Sequence, residues 1–182
     1  STFRNDVTAL LEAENHLIVY VDNSVNDRVY PQKADFTFYG GIYRDVELLT
    51  VSKAHFDLDH FAGPGIKVTP EVKGKDADIR VETWANVDGD VKVTLLDAEG
   101  NTVAEGKGTD ITLNVADVHL WDGVADPYLY TVKAELTVDG KVVDEVSTTC
   151  GVRYYKFDPD KGFFLNGRPY NLHGVSRHQD FK

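Results

Sequence analysis

From Ile66 to Tyr154 apolar and polar side chains alternate in short runs, and turn residues interrupt them at close intervals. That pattern most narrows what the chain can fold into. Successive residues of a strand point to opposite faces, so alternation over several residues marks a half-buried strand, whereas a helix repeats every 3.6 residues. Ile79, Val81, Thr83 and Ala85 share one face, opposite Arg80, Glu82 and Trp84. Val91, Val93 and Leu95 form the next inner face, followed by short strands at Thr102 to Lys107 and Asp110 to Val115, the latter turning Ile111, Leu113 and Val115 inward. The cleanest run sets Tyr130, Val132, Ala134, Leu136 and Val138 against Thr131, Lys133, Glu135 and Thr137. Asp88-Gly89 and Asp139-Gly140 are hairpin turn signals. Seven strands closely spaced, with no sustained helical period, predict an all-β, immunoglobulin-like antiparallel sandwich. The Cys…Trp…Cys spacing of antibody domains is absent, so the likeness is architectural. Pro70 places the strand Ile66 to Val72 at an edge or a bend.

The flanks differ. His16 to Val21 reads as a strand with Leu17, Val19 and Val21 on one face, and Arg44 to Ser52 as another, preceded by the break at Gly40-Gly41. Two or three strands cannot bury two faces unaided. The breaker Gly63-Pro64-Gly65 separates this segment from the ladder. After the linker Asp158-Pro159-Asp160, Phe163-Phe164-Leu165 and Tyr170-Asn171-Leu172 flank a tight Asn166-Gly167 turn, and Leu172 to Val175 could open a further strand. The expected organisation is 1–54 as the remnant of one domain, 55–157 as the sandwich, and 158–182 as linker, hairpin and first strand of a third.

With 182 residues and 42% hydrophobic content, the chain can bury a core without staples. Its formal net charge of −11 disfavours phosphate backbones and anionic membranes, so neither nucleic acid nor membrane is expected as a partner. No apolar run reaches the ~20 residues of a membrane span. The single cysteine, Cys150, alternates with Val146 and Val152 and is expected in the core. The compartment is left open, with the cytoplasm favoured.

Three stretches carry a resemblance. Phe36-Thr-Phe-Tyr-Gly-Gly-Ile-Tyr-Arg-Asp-Val-Glu-Leu48 is similar to the end of the N-terminal jelly-roll, sugar-binding domain of glycoside hydrolase family 2, the family of β-galactosidases, β-glucuronidases and β-mannosidases. Leu120-Trp121 with Asp126-Pro-Tyr-Leu-Tyr130 resembles a stretch of its immunoglobulin-like second domain. Phe164-Leu-Asn-Gly-Arg-Pro-Tyr-Asn-Leu-His-Gly-Val-Ser-Arg-His178 resembles the lead-in hairpin and first strand of its catalytic (β/α)₈ barrel. The three occur in the family's order and spacing and span nearly the whole chain.

The resemblance implies a β-galactosidase-like parent enzyme that hydrolyses β-linked sugars with retention. Two Glu residues set about 5 to 5.5 Å apart would do this work. In the family both come from later barrel strands, the acid/base from an Asn-Glu pair, and this sequence holds no such dipeptide. No catalytic residue is therefore assigned, and the chain is expected to be a non-catalytic fragment whose sandwich spaces the sugar-binding and catalytic domains. By resemblance, Asp45 contacts sugar hydroxyls and an alkali or magnesium cation of the parent, His178 contacts substrate, and Asp35 matches a sugar-contacting Asp of the glucuronidase branch. From the residues alone, Asp45 reads as a salt-bridge partner or turn cap next to Arg44, and Asp35 as a loop residue. His173, His178 and Asp180 fit no compact metal-ligand spacing, nor do His55 and His60, so no metal site or cofactor is assigned to the fragment. Trp84 reads as a packing residue under a loop or as a sugar platform, and Trp121 as an anchor for the long turn. The rivals are a stand-alone carbohydrate-binding or adhesion module and a self-sufficient glycosidase with a carboxylate pair on the sandwich. Unpaired terminal strands predict a homo-oligomer formed through them.

Overall fold

The computed structural model describes residues 4–25, 40–42 and 45–175. They fall into two compact units, one comprising residues 4 and 50–172, the other residues 5–25, 40–42, 45–49 and 173–175.

The first unit is the sandwich. β1 (Ile66–Lys73), β2 (Asp76–Thr83) and β5 (Asp110–Val115) form one antiparallel sheet in the order β1-β2-β5. β3 (Asp90–Leu96), β4 (Thr102–Lys107), β6 (Tyr130–Val138) and β7 (Lys141–Cys150) form the second, in the order β4-β3-β6-β7. The alternation read from the sequence is the alternation of burial. Ala77, Ile79, Val81 and Thr83 of β2 are buried, as are Val91, Val93 and Leu95 of β3 and Tyr130, Val132, Ala134 and Leu136 of β6. These residues, with Leu113 and Val115 of β5, make one continuous core between the sheets. Cys150 lies in it, and burial raises its thiol pKa, as suits a packing residue and not a nucleophile. Pro70 sits in edge strand β1, opposite Ile79, where its missing N–H leaves no gap in a ladder. Register shifts fall between Leu95 and Leu96 in β3 and between Leu136 and Thr137 in β6, the latter letting β7 carry an extra residue. Nearby, the Asp144 carboxylate accepts the Phe56 backbone N–H at 2.8 Å.

The segment before β1 is stitched to the sandwich. Phe56 pairs with Ala85 in an isolated antiparallel bridge and enters the core. Asp57 N–H donates to Trp84 C=O at 2.8 Å, and Trp84 N–H to Gly65 C=O at 2.9 Å. Arg4 Nη1 donates to the carbonyls of Leu58 and Gly63, both at 2.6 Å.

Beyond the sandwich, β8 (Tyr155–Asp158), β9 (Gly162–Leu165) and β10 (Arg168–Pro169) form a small sheet in the order β10-β9-β8. The expected hairpin around Asn166-Gly167 is therefore present. β7 ends at Cys150 and β8 opens at Tyr155, so the chain breaks its strand between them.

In the second unit the described residues form a 3-10 turn, Thr8–Leu10, and no strand. The strands expected at His16 to Val21 and over the described part of Arg44 to Ser52 are not formed, and no strand opens between Leu172 and Val175. A strand exists only through its ladder partners, and among the described residues none pairs with these segments. Leu17, Ile18 and Tyr20 are accordingly exposed.

Candidate functional site

Of the residues assigned to sugar contacts, only Asp45 is described, and its side chain is exposed in the second unit. Asp35 and His178 lie outside the described residues, as do Arg44 and Asp180. Among the described residues no group of three or more His, Cys, Asp or Glu side chains is placed to hold a metal ion. One exposed carboxylate, Asp45, does not make a cation site.

The two loop histidines of the first unit take structural roles. His55 Nδ1 lies 2.8 Å from the Ser52 carbonyl and 3.2 Å from Asn86 Nδ2. The His60 ring stacks on Trp84 with centroids 3.7 Å apart. Trp84 is half-buried beneath the 55–65 loop, so it packs there and offers no open platform.

What the first unit does assemble is a junction between the sandwich and the terminal sheet. The long turn from His119 to Tyr130 is held at its base by aromatic contacts. Tyr130 Oη accepts the His119 backbone N–H at 2.9 Å, and burial raises its phenol pKa. The His119 ring stacks on Tyr128 with centroids 3.8 Å apart, and its Nε2 lies 2.7 Å from Asp126 Oδ2. Trp121 N–H donates to Val152 C=O at 2.8 Å, fixing the turn against the chain leaving β7. The Arg153 guanidinium lies 4.9 Å from the Trp121 ring centroid.

Three consecutive turn residues then meet three alternating residues of the hairpin. Asn166 Nδ2 donates to the Trp121 carbonyl at 3.0 Å. Arg168 Nη2 pairs with Asp122 Oδ2. Tyr170 covers Gly123 so closely that a Cβ added there would lie 2.5 Å from its hydroxyl oxygen. Asn166 is the centre of this clasp. Its backbone N–H donates to Tyr154 C=O at 2.9 Å, while its Oδ1 accepts Tyr154 N–H at 3.2 Å. Asn166 and Gly167 have φ of 49° and 78°, the pair of positive values that a two-residue type I′ turn demands and that Asn-Gly supplies. The Asn side chain thus serves the turn and the contact at once.

Arg168 and Tyr170, two residues apart in the chain leaving the turn, share one face, and Asn166 reaches Trp121 from the turn itself. Asn-Gly was legible as a turn, but nothing in the sequence paired its side chain with Trp121. Two of the three motifs that carried the family resemblance, the Leu120-Trp121 stretch and the Phe164 to His178 stretch, interlock here.

Several charged pairs lie on the outer faces of the sandwich. Arg80 forks onto Asp110 at 2.9 and 2.7 Å, and this hydrogen bonding holds the Asp110 carboxyl below the usual carboxylate range. Lys92–Glu105 at 2.8 Å and Lys133–Glu145 at 2.7 Å bridge neighbouring strands. Such exposed pairs fix register more than they stabilise.

The fold and the clasp define the chain as an immunoglobulin-like sandwich tied rigidly to the segment that follows it. The profile of the family described as "Glycosyl hydrolases family 2" matches residues 60–153, just over half of the chain, and the chain belongs to that family. A β-glucuronidase of Bacteroides fragilis is 36% identical over 92% of this chain, which spans 26% of that relative. A β-galactosidase of Bacteroides ovatus is 32% identical over 98% of this chain and 22% of its own length. Among solved structures, an FMN-binding β-glucuronidase from Facaelibacterium prausnitzii L2-6 superposes with a TM-score of 0.80 at 42% identity, over 87% of this chain and 26% of that one. The chain therefore spans about a quarter of the length of these relatives.

Proposed function

We propose that the chain is the non-catalytic connecting part of a longer family 2 β-glycosidase. Its sandwich spaces a sugar-binding domain, ended in residues 1–54, from a catalytic domain begun in residues 158–182. The observation that carries this reading is the clasp of Trp121, Asp122 and Gly123 with Asn166, Arg168 and Tyr170, which gives the polypeptide leaving the sandwich one defined direction. A spacer in an enzyme needs such stiffness, because a small misplacement of substrate-positioning groups costs rate heavily. The longer enzyme hydrolyses a β-linked sugar with retention, through a carboxylate pair outside these residues. A β-glucuronide is the substrate favoured by the names of the 42% and 36% identical relatives, ahead of a β-galactoside. Asp45, Asp35 and His178 are its proposed sugar contacts. An alkali or magnesium cation, if the longer enzyme uses one, draws most of its ligands from elsewhere. Exposed apolar residues of the second unit, Leu17, Ile18 and Leu48 among them, favour pairing of two copies through these terminal segments.

The experiment is an assay of two purified proteins, this chain and the longer protein, on nitrophenyl β-glucuronide and nitrophenyl β-galactoside. The longer protein should turn over the glucuronide faster, and this chain neither. Turnover by this chain, abolished by changing a Glu within it, would overturn the proposal. Light scattering of the chain at high concentration tests the pairing, and a monomer would refute it.

A further inference from the structure

We propose that the aromatic face of the terminal sheet is a docking surface for a further domain of the same, longer polypeptide. This rests on the reading of the chain as part of such a protein. Tyr155 pairs with Leu165 and Phe157 with Phe163 across β8 and β9, so these four side chains share one face. Leu165 is buried, but Tyr155 and Phe157 are 63% and 67% exposed. The rings touch in series, with centroids 5.9 Å apart for Tyr155–Phe157, 5.1 Å for Phe157–Phe163 and 6.2 Å for Phe163–Tyr170. A contiguous exposed aromatic patch marks an interaction site, since aromatic rings carry more buried area than other side chains.

Three candidates could cover it. A sugar stacks on a flat, open ring, but here the rings are inclined to one another by between 31° and 84° and present edges as well as faces. A second copy must associate from solution, with no tether to raise its concentration at this face. A further domain of the same polypeptide meets neither obstacle, because tethering makes the contact intramolecular. The lengths agree, since about three quarters of the F. prausnitzii enzyme lies outside the 26% that this chain covers. The clasp also holds the face in a fixed position, so docking on it costs little ordering. One of the clasp residues, Tyr170, packs its ring on Phe163 of the patch itself. Fixing the hairpin and covering its aromatic face are thus two ends of one connection, from the sandwich through the hairpin to the next domain.

The test is hydroxyl-radical footprinting of Tyr155 and Phe157 in this chain at low concentration and in the longer protein. Modification of both residues should fall several-fold in the longer protein. The double variant Tyr155→Lys with Phe157→Lys should lower the Tm of the longer protein and leave that of this chain unchanged. Equal labelling in both proteins overturns the proposal. Protection that appears in this chain only as its concentration rises assigns the face to a second copy. Protection of this chain by a β-linked oligosaccharide assigns it to a sugar. Either result overturns the proposal as well. Protection in a longer protein that hydrolyses no β-glycoside would leave the docking surface standing and remove the glycosidase reading instead.

Discussion

Replacing Asn166 tests the clasp most directly. Asn166→Ala deletes two side-chain hydrogen bonds, from Nδ2 to the Trp121 carbonyl at 3.0 Å and to Oδ1 from Tyr154 N–H at 3.2 Å. Each is worth about 1 kcal/mol net. It also leaves a Cβ residue without a local hydrogen-bonding side chain at φ 49°, adding about 1 kcal/mol or more. Asn166→Gly loses the same two bonds but accepts the positive φ freely. The sheet β8–β10 has strands of four, four and two residues, too short to persist alone, so the loss should appear as local opening. About 2 kcal/mol corresponds to roughly thirtyfold faster exchange through that opening. Native-state hydrogen exchange, followed by mass spectrometry, should show this acceleration across residues 155–170 in both variants, larger for Ala. Protection in β6, whose Val132, Ala134 and Leu136 are wholly buried, should not change. The reasoning fails if residues 155–170 exchange as in the unaltered chain. It fails equally if β6 is deprotected to the same extent, because the hairpin would then not open as a separate unit.

Further outcomes are expected elsewhere. Gly123→Ala must place a methyl group against Tyr170 at φ 67°, and the same exchange measurement should show the hairpin loosened while the sandwich keeps its Tm. Leu136→Ala removes a wholly buried side chain from the core and should cost about 2 to 5 kcal/mol in urea denaturation. The Asp78 and Asp110 carboxyls are held below their ordinary pKa by hydrogen bonds from Lys73 and Arg80, so the unfolded chain binds more protons than the folded one in acid. Their stabilisation is complete above the unfolded carboxylate pKa of about 3.9 and is lost as pH falls through the folded values. Tm should thus be level near neutrality and drop in acid, with a shallower drop in Asp110→Asn. Titration calorimetry of the chain with a β-linked oligosaccharide should give no heat attributable to Trp84, whose ring is already stacked on His60. Binding lost in Trp84→Ala with the fold intact would revive the carbohydrate-binding module.

The alternation of Ile79, Val81 and Thr83, of Val91, Val93 and Leu95, and of Tyr130 to Leu136 determined the sandwich, because a two-residue period with one apolar face has one stable use. Asp139-Gly140 and Asn166-Gly167 marked their turns for an equally local reason, the positive φ that each takes in the structure. The resemblance of three motifs placed the chain in its family. The flanking strands were misread at His16 to Val21 because an alternating run states only which side chains could share a face. Whether it becomes a strand depends on a partner backbone, which no local pattern encodes. The clasp lay beyond the sequence for a related reason. Trp121 and Asn166 are 45 residues apart, and their bond exists only because the chain leaving β7 carries the hairpin back over the long turn. The exposure of Tyr155 and Phe157 is likewise a tertiary fact, since the same aromatic run would read identically had it been buried. Period and turn chemistry act over a few residues and can be read in order, whereas a side chain's partner and its cover are set by where distant segments come to lie.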